Sequence, residues 1–540
     1  MARVPAIAVW VRNLLFAGLA LLAVLVGQVL LWRAPLEKAD ATSLPAQDPE
    51  VLAVAREVDA AFSEAWSAAG ETPAPSAEDL TVLRRLSLAL FGTVPSFEEI
   101  RLARQIPSER RIDWWLERAF RDQRFGDYVA ERFVRVCAGT EAGPFLVFRR
   151  RRFVEWWSEQ LRRNRPYDDV VRSLISSTGS WTTEPETNFV TREVVSKTGP
   201  DEARLAARVS RAFLGIRLDC VECHDDFLEG KWEQEDFHQL AAFFREASMV
   251  VTGLSDSGKG DYKVRMRGAP EERAVGEAVP FGPEWLPAEG RLRARLATWV
   301  THPQNVSFSR TAVNRVWALL CGEPLIVPVD CVPLDDNVPA GLDLLARDFV
   351  AHGYDLQRLI RVIAKTGVFR RSSEPGKVEA SSSWARFPVT RLRPEQLARS
   401  LHQASSLTTV DASSHILLRL QLEGETRDFV KRFGDRGVDE FESATATVPQ
   451  RLLLMNGKLV REHTRENIIA NAATRIGALA RDDFSAVEAA FLAVLTRAPS
   501  PPELEHFVGL LRGSKGGERA RRMGDLYWGL FNSTEFSWNH

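Results

Sequence analysis

The sequence predicts a mostly α-helical protein, with an N-terminal transmembrane helix followed by two helical domains and a short irregular or β-containing insertion between them. Three observations lead to this prediction. One apolar stretch near the N-terminus carries no charge. Downstream, apolar residues recur at helical spacing, in segments that begin at Ser, Asp or Pro and end at Gly. Residues 251–285, which are rich in Gly and Pro, interrupt this pattern.

Residues 1–33 are predicted to form a cytoplasmic tip and a transmembrane signal anchor. From Leu14 to Trp32 the chain has no charged residue and a single Gln. At about 1.5 Å per residue this stretch nearly crosses a hydrocarbon core of about 30 Å. We expect a single pass through the cell membrane, with the bulk of the chain in the periplasm or an equivalent extracytoplasmic space. A cleaved signal peptide is the alternative, with "ADA" at 39–41 as its cleavage site.

Residues 34–75 resemble a linker, since Pro, Ala and Ser flank one short helix, "VLAVAREVDAAFSEAWSAAG". The helical domain predicted over 76–250 opens with two capping-box patterns. In the first, Ser76 is followed three residues later by Asp79, and in the second Ser96 is followed by Glu99.

The later part of this domain contains two amphipathic helices. "GPDEARLAARVSRAFLG" places Leu205, Val209 and Phe213 on one face and stops at Gly215. "WEQEDFHQLAAFF" follows as the second helix. The connection between them is therefore a place where two helices could hold a cofactor.

Residues 251–285 are predicted to be irregular, with "YKVRM" as the expected short strand. Residues 286–540 then read as a second helical domain, beginning with segments such as "RLRARLATWVTH" and "RTAVNRVWALLCG".

Charge and motif content exclude several functions. Lys and Arg total 70 against 72 Asp and Glu, so no overall field would attract nucleic acid. The chain has no nucleophile elbow, no phosphate-binding Gly loop and no H-E-x-x-H motif. The sequence therefore does not assign an enzyme class.

The stretch "DCVECH" contains the motif C-x-x-C-H, formed by Cys220, Cys223 and His224. This is the attachment pattern of c-type haem. Two thiols three residues apart project to the same side of a turn and can reach both vinyl groups of one porphyrin. The adjacent imidazole is then held under the iron as proximal ligand. The sequence thus predicts a single haem c.

A sixth iron ligand is left open by the sequence. His238 lies fourteen residues after His224, on the next predicted helix, and Met249 and Met266 follow. A five-coordinate iron would indicate ligand binding or catalysis, whereas a second axial ligand would indicate electron transfer.

Haem-free alternatives exist for the same cluster. Zinc or iron could be bound by Cys220, Cys223 and His224 with His238 or an Asp as fourth ligand. The two cysteines could also form a redox-active or structural disulfide, which would leave His224 unexplained.

The three other cysteines have simpler readings. Cys321 and Cys331 could pair or remain packed thiols, and Cys137 is expected in the core.

Several stretches resemble a known pair of domains. "RVSRAFLGIRLDCVECHDDFLEGKWEQEDFHQLAAFF" is similar to the planctomycete domain of unknown function that carries a cytochrome-c name. "LATWVTHPQNVSFSRTAVNRVWALLCGEPLIVPVD" and "VPQRLLLMNGKLV" resemble its usual C-terminal partner domain. The resemblance spans roughly 55–540 and implies an exported protein of unestablished activity.

This chain departs from the family pattern at two places. The family often reads C-x-x-C-H-D-H-P, whereas Asp226 and Phe227 stand here at the second His and the Pro. Cys331 stands where relatives often carry an acidic residue. The sequence therefore predicts a membrane-anchored c-type haem protein for electron transfer or a redox step, with redox proteins as partners. The alternative is a haem-free envelope protein for binding or scaffolding, stabilised by a metal ion or a disulfide.

Overall fold

The computed structural model describes most of the chain. The described residues are 10, 13–19, 44, 46–140, 143–195, 199–225, 232–257, 260–373, 383–435, 437, 441 and 447–540. The predicted membrane span 14–32 lies mostly outside them. Residues 13–19 are helical, and no helix in the described ranges has the length and apolar character needed to cross a membrane.

The described residues form a mostly helical protein, as predicted. The helices of the first half are α1 (Pro49–Ala69), α2 (Asp79–Phe91), α3 (Phe97–Ala103), α4 (Ser108–Arg121), α5 (Gln123–Ala138), α6 (Arg150–Arg162), α7 (Tyr167–Ser176), α8 (Asn188–Thr191), α9 (Glu202–Val209) and α10 (Gln234–Ala241). Those of the second half are α11 (Leu292–Val300), α12 (Val306–Cys321), α13 (Leu342–Ala351), α14 (Leu356–Lys365), α15 (Pro394–Ala404), α16 (Ile416–Phe433), α17 (Val448–Asn456), α18 (Lys458–Thr464), α19 (Ala472–Leu479), α20 (Asp483–Leu495), α21 (Pro501–Leu511), α22 (Gly516–Phe531) and α23 (Thr534–Ser537).

The strands are short and pair as four antiparallel two-stranded sheets. They are β1 (Val194–Val195) with β2 (Gly199–Pro200), β3 (Ala247–Val250) with β4 (Gly253–Asp256), β5 (Lys263–Val264) with β6 (Arg273–Ala274), and β7 (Thr390–Arg391) with β8 (Trp538–Asn539). The strand predicted in "YKVRM" is confirmed as β5.

The larger hydrophobic cluster runs from Val51 to Phe387 and includes helices from both sides of the insertion at 251–285. Within the segment predicted as a linker, α1 is a full 21-residue helix. Its apolar face, including Phe62 and Trp66, is buried in this cluster. Such burial stabilises a helix more than the helix propensity of its residues does.

The second hydrophobic cluster is formed mainly by α15 to α23, between Leu392 and Phe536. Leu88 of α2 and Val94 from the following turn also belong to it. Helix α2 therefore contributes to both clusters.

One of the two predicted capping boxes is confirmed. The Ser96 hydroxyl accepts from the Glu99 amide at 3.0 Å, and the Glu99 carboxylate accepts from the Ser96 amide at 2.9 Å. The box predicted at Ser76 and Asp79 is wrong, because α2 begins after Glu78 and Ser76 instead forms a β-bridge with Arg371.

Candidate functional site

The C-x-x-C-H turn follows directly from α9. The last turn of this helix widens into a π-turn at Ser210–Leu214 and ends at Gly215 in the left-handed conformation, with φ 62°. A Cβ at Gly215 would lie 2.5 Å from Thr311 Oγ1, so glycine is needed both for the conformation and for the close approach of α12. The predicted stop at Gly215 is confirmed.

The turn itself is the 3₁₀ helix Leu218–Glu222. Leu218 and Val221 are buried in the larger cluster, whereas Cys220 and Cys223 are exposed. Residues three apart eclipse each other in a 3₁₀ helix, so burial of the first pair turns both thiols outward. The two cysteines are not joined by a disulfide.

Two arginines fasten the turn to the loop after α12. Arg211 binds both carboxylate oxygens of Asp219, at 2.8 and 2.7 Å, and reaches Asp330 at 3.3 Å. Arg217 donates to Asp330 Oδ1 at 2.7 and 3.0 Å. These hydrogen bonds raise the pKa of both guanidinium groups, for Arg217 chiefly through Asp330. The backbone around the cysteines is therefore held in place.

His224 lies at the end of the turn, against the start of α10. Its Nδ1 is 2.8 Å from the Asp225 carbonyl oxygen, and Asp225 Oδ1 accepts from the Gln234 amide at 2.8 Å. If Nδ1 donates, the lone pair of the neutral ring is on Nε2, the nitrogen suited to a metal. Together with Arg267 these three residues line a polar cleft of about 410 Å³.

His238 is nearly fully buried on α10, and both of its ring nitrogens have hydrogen-bond partners. Nδ1 is 2.9 Å from the Tyr262 hydroxyl and Nε2 is 3.3 Å from the Glu222 carbonyl oxygen. Burial lowers the pKa of this imidazole. To ligate iron, His238 would have to release one of these partners, whereas its observed contact fixes the C-x-x-C-H turn on α10.

Neither methionine considered as a sixth ligand belongs to that contact. Met249 lies in β3, and Met266 follows β5. The motif variants Asp226 and Phe227 lie outside the described residues.

The other cysteines lie apart from the motif. Cys137 is buried in the larger cluster, as predicted. Cys321 is also buried, Cys331 is exposed, and these two residues are not joined to each other by a disulfide.

Cys220, Cys223 and His224 do not converge on one point. Among the described residues, the group of three or more potential ligand atoms that lie within 4.8 Å of one another is His402, Glu425 and His463. A compact tetrahedral zinc site needs such convergence. A haem does not, because its thioether bonds are at the ring edge and its iron is at the centre. The donor set present, two exposed thiols followed by an imidazole, is the set that attachment of a c-type haem requires.

A second cleft of about 720 Å³ is lined in part by Arg211 and Arg217, the two arginines that hold the turn. Six arginines line it: Arg192, Arg204, Arg208, Arg211, Arg217 and Arg315. In the described part of the chain they face four carboxylates, Glu193 and Asp330 in the cleft and Asp201 and Asp219 beside it. This concentration of guanidinium groups makes the cleft a candidate site for an anionic ligand.

Sequence reasoning missed this cleft, although a signal existed. Arg204, Arg208 and Arg211 recur at i, i+4 and i+7 along α9 and its π-turn, which places them on one face. The apolar spacing in the sequence indicated only the opposite face of the same helix.

The chain matches two protein families in sequence. Residues 57–249 match PSCyt2, described as a protein of unknown function (DUF1549), and residues 292–417 match PSD1, described as a protein of unknown function (DUF1553). No curated protein and no solved structure matches the chain. The matched ranges contain the C-x-x-C-H turn and helices α11 to α15. The chain thus belongs to the proteins in which a PSCyt2 domain (DUF1549) is followed by a PSD1 domain (DUF1553).

Proposed function

We propose that this protein is a membrane-anchored, extracytoplasmic c-type haem protein that serves electron transfer or a redox step. The observation that carries the proposal is the C-x-x-C-H turn, in which Cys220 and Cys223 face outward on a backbone fixed by Arg211, Arg217 and Asp330. A firmly held turn presents both thiols for thioether formation without a loss of order elsewhere in the fold.

In this proposal Cys220 and Cys223 would hold the macrocycle and His224 would ligate its iron. The Asp225 carbonyl orients the imidazole through Nδ1, and α10 holds Asp225 through the Gln234 amide. Such outer contacts fix ring orientation and raise ligand basicity. When bound, a haem supplies one-electron chemistry that the side chains lack.

The arginine-lined cleft supports an anionic partner for this redox step, either an acidic substrate or the acidic surface of a redox protein. Arg204, whose side chain is 64% exposed, lines the cleft. Arg211 lines it as well and binds Asp219, the residue before Cys220. A charged wall of this kind raises association rates for partners of opposite sign.

The proposed membrane attachment depends on the uncharged stretch 14–32. Export would bring the cysteines to the compartment in which c-type haem is attached, so the anchor and the motif support each other.

The test is expression of the full chain in a bacterium with the c-type haem maturation system, followed by mass measurement and a pyridine haemochrome spectrum. We expect one covalent haem, retained after acid–acetone extraction, in a membrane-bound protein of uncleaved mass. Cys223→Ser should lose haem attachment. Cys331→Ser is the matched control, because it removes another exposed thiol from outside the motif, and it should attach haem as the natural chain does.

A protein that weighs no more than its polypeptide, in cells that mature another c-type cytochrome, would contradict the haem proposal. Stoichiometric zinc that is lost in Cys223→Ser would instead establish the haem-free metal alternative. A mass lower by about that of residues 1–41 would show that the anchor is cleaved.

A further inference from the structure

A second group of metal-ligating side chains lies in the other hydrophobic cluster, away from the C-x-x-C-H turn. His402 is on α15, Glu425 on α16 and His463 on α18, so three separate helices contribute one residue each. Helix α15 packs directly against both of the others. The side chains are therefore positioned by the packing of helices and not by a mobile loop.

The three ligand atoms are close together. His402 Nδ1 is 2.9 Å from His463 Nε2 and 3.8 Å from Glu425 Oε2, and all three atoms lie within 4.8 Å of one another. Ligands at about 2.0–2.2 Å from a tetrahedral zinc ion are separated by about 3.3 Å. The two distances from His402 fall on either side of that value. An ion would replace the hydrogen bond between the two imidazoles and would need only a small adjustment of the three side chains.

The carboxylate is oriented toward the two imidazoles. Gln421, one turn earlier on α16, donates to Glu425 Oε1 at 3.0 Å. That contact leaves Oε2 as the oxygen that faces His402. The Glu425 side chain is 28% exposed and that of His402 is 4% exposed, so solvent reaches the carboxylate more than this imidazole.

Nearby charges partly balance. Arg399 on α15 acts on His402 and would oppose a bound cation, whereas Glu462 acts on His463 and would favour it. Binding therefore depends on the three ligands themselves.

We infer that His402, Glu425 and His463 bind a divalent transition-metal ion of the zinc class. Two imidazoles and one carboxylate are a frequent zinc donor set, and three protein ligands leave the fourth position for water. Sites that keep such an open position are catalytic more often than structural. The inference is independent of the proposed haem, since none of its residues belongs to the C-x-x-C-H turn.

The experiment uses the full chain with Cys220 and Cys223 both changed to Ser, so that the thiols of the C-x-x-C-H turn and a haem do not contribute. Metal-free protein is titrated with Zn²⁺ against a chromogenic chelator, and with Co²⁺ while the visible spectrum is recorded. We expect one zinc per chain, a tetrahedral Co²⁺ spectrum without thiolate charge-transfer bands, and a higher Tm with zinc than without it.

Two conservative variants test the ligands. His463→Gln and Glu425→Gln should each weaken zinc binding by about 100-fold or more and abolish the zinc-dependent rise in Tm. The control is His506→Gln, an exposed histidine on α21 that is remote from the group, and it should bind zinc unchanged. Circular dichroism of each metal-free variant checks that it is folded.

Two results would overturn the inference: no zinc bound at micromolar concentration by the folded parent chain, or binding that the His463 and Glu425 variants leave unchanged. Neither result bears on haem attachment, which is measured in the chain with both cysteines intact.

Discussion

Single arginines fasten distant parts of this protein because one guanidinium group can donate to two carboxylates at once. Arg211 joins Asp219 and Asp330 at the C-x-x-C-H turn. Arg497 does the same near the C-terminus, where it donates to Glu503 and Glu535. At both places the carboxylates come from separate segments, so the arginine sets their relative position.

The Arg497 group predicts a specific pH dependence of stability. Its hydrogen bonds lower the pKa of Glu503 from the usual value of 4.5 to about 2. At a pH between these two pKa values, the Glu503 carboxylate is protonated in the unfolded chain and ionised in the folded chain. The free energy of unfolding therefore falls as the pH decreases through this window. The carboxylate is 33% exposed, and solvent screening limits the contribution to about 1 kcal/mol.

The comparison is between the natural chain and Glu503→Gln, both unfolded in urea at pH 2 to 6. The natural chain should be more stable by about 1 kcal/mol at pH 6, and the difference should vanish near pH 2. A difference that is constant over this range would show that Glu503 contributes through packing and not through its charge.

At the scale of the element, the end of α9 fixes where the motif begins. Gly215 closes the π-turn in the left-handed conformation, and its carbonyl accepts from the Val332 amide at 2.7 Å. A π-turn is frequently found next to a functional site.

A pair of glycine substitutions separates the two demands on Gly215. Gly70 ends α1 at φ 67° with nothing within 4 Å of an added Cβ, whereas at Gly215 the Cβ would meet Thr311 at 2.5 Å and Val332 at 2.8 Å. Gly70→Ala should cost about 1 kcal/mol, from the left-handed conformation alone. Gly215→Ala should cost about 2–4 kcal/mol, since overpacking adds to it.

Urea unfolding of both variants measures these costs. In the haem-maturing host, Gly215→Ala should also attach less haem than Gly70→Ala, because only the first displaces the turn. Equal losses of stability in the two variants would mean that Thr311 on α12 and Val332 can move away from the added Cβ with no further loss of stability.

Elements with a local signal could be predicted from the sequence, and sites assembled across the chain could not. The helix that stops at Gly215, the strand at "YKVRM" and the C-x-x-C-H turn each depend on a few adjacent residues. His402 and His463 are 61 positions apart and converge only when α15 packs on α18. The prediction of a capping box at Ser76 was wrong for the same reason, because the β-bridge with Arg371 outweighed the local pattern.

At the scale of the whole molecule, α2 joins the two hydrophobic clusters through a pair of buried arginines. Arg84 donates to the carbonyl oxygens of Val494 at 3.1 Å and Phe536 at 3.2 Å, both in the second cluster. Arg85 donates to the Phe369 carbonyl at 2.9 Å, in the first. Arg84 is almost fully buried, and this burial lowers its pKa to about 10.

These contacts predict that the two clusters unfold together and that loss of Arg84 uncouples them. Arg84→Met keeps the length of the side chain but leaves the Val494 and Phe536 carbonyls without a donor. Relief from burying a charge offsets part of the loss, and we expect a net cost of about 2–4 kcal/mol. Hydrogen exchange should then become faster in α20 to α23 than in α4 to α6, whereas in the natural chain the slowest amides of both regions exchange at similar rates.

The control for this prediction is Arg427→Met on α16, where the arginine is 77% exposed and forms a 3.7 Å ion pair with Glu423. It should change stability by no more than about 0.5 kcal/mol and leave exchange in both regions unaltered. If Arg84→Met accelerates exchange equally in the two regions, the clusters are one cooperative unit that does not depend on this arginine. Apolar contact of Leu88 and Val94 with the second cluster would then be the connection that couples them.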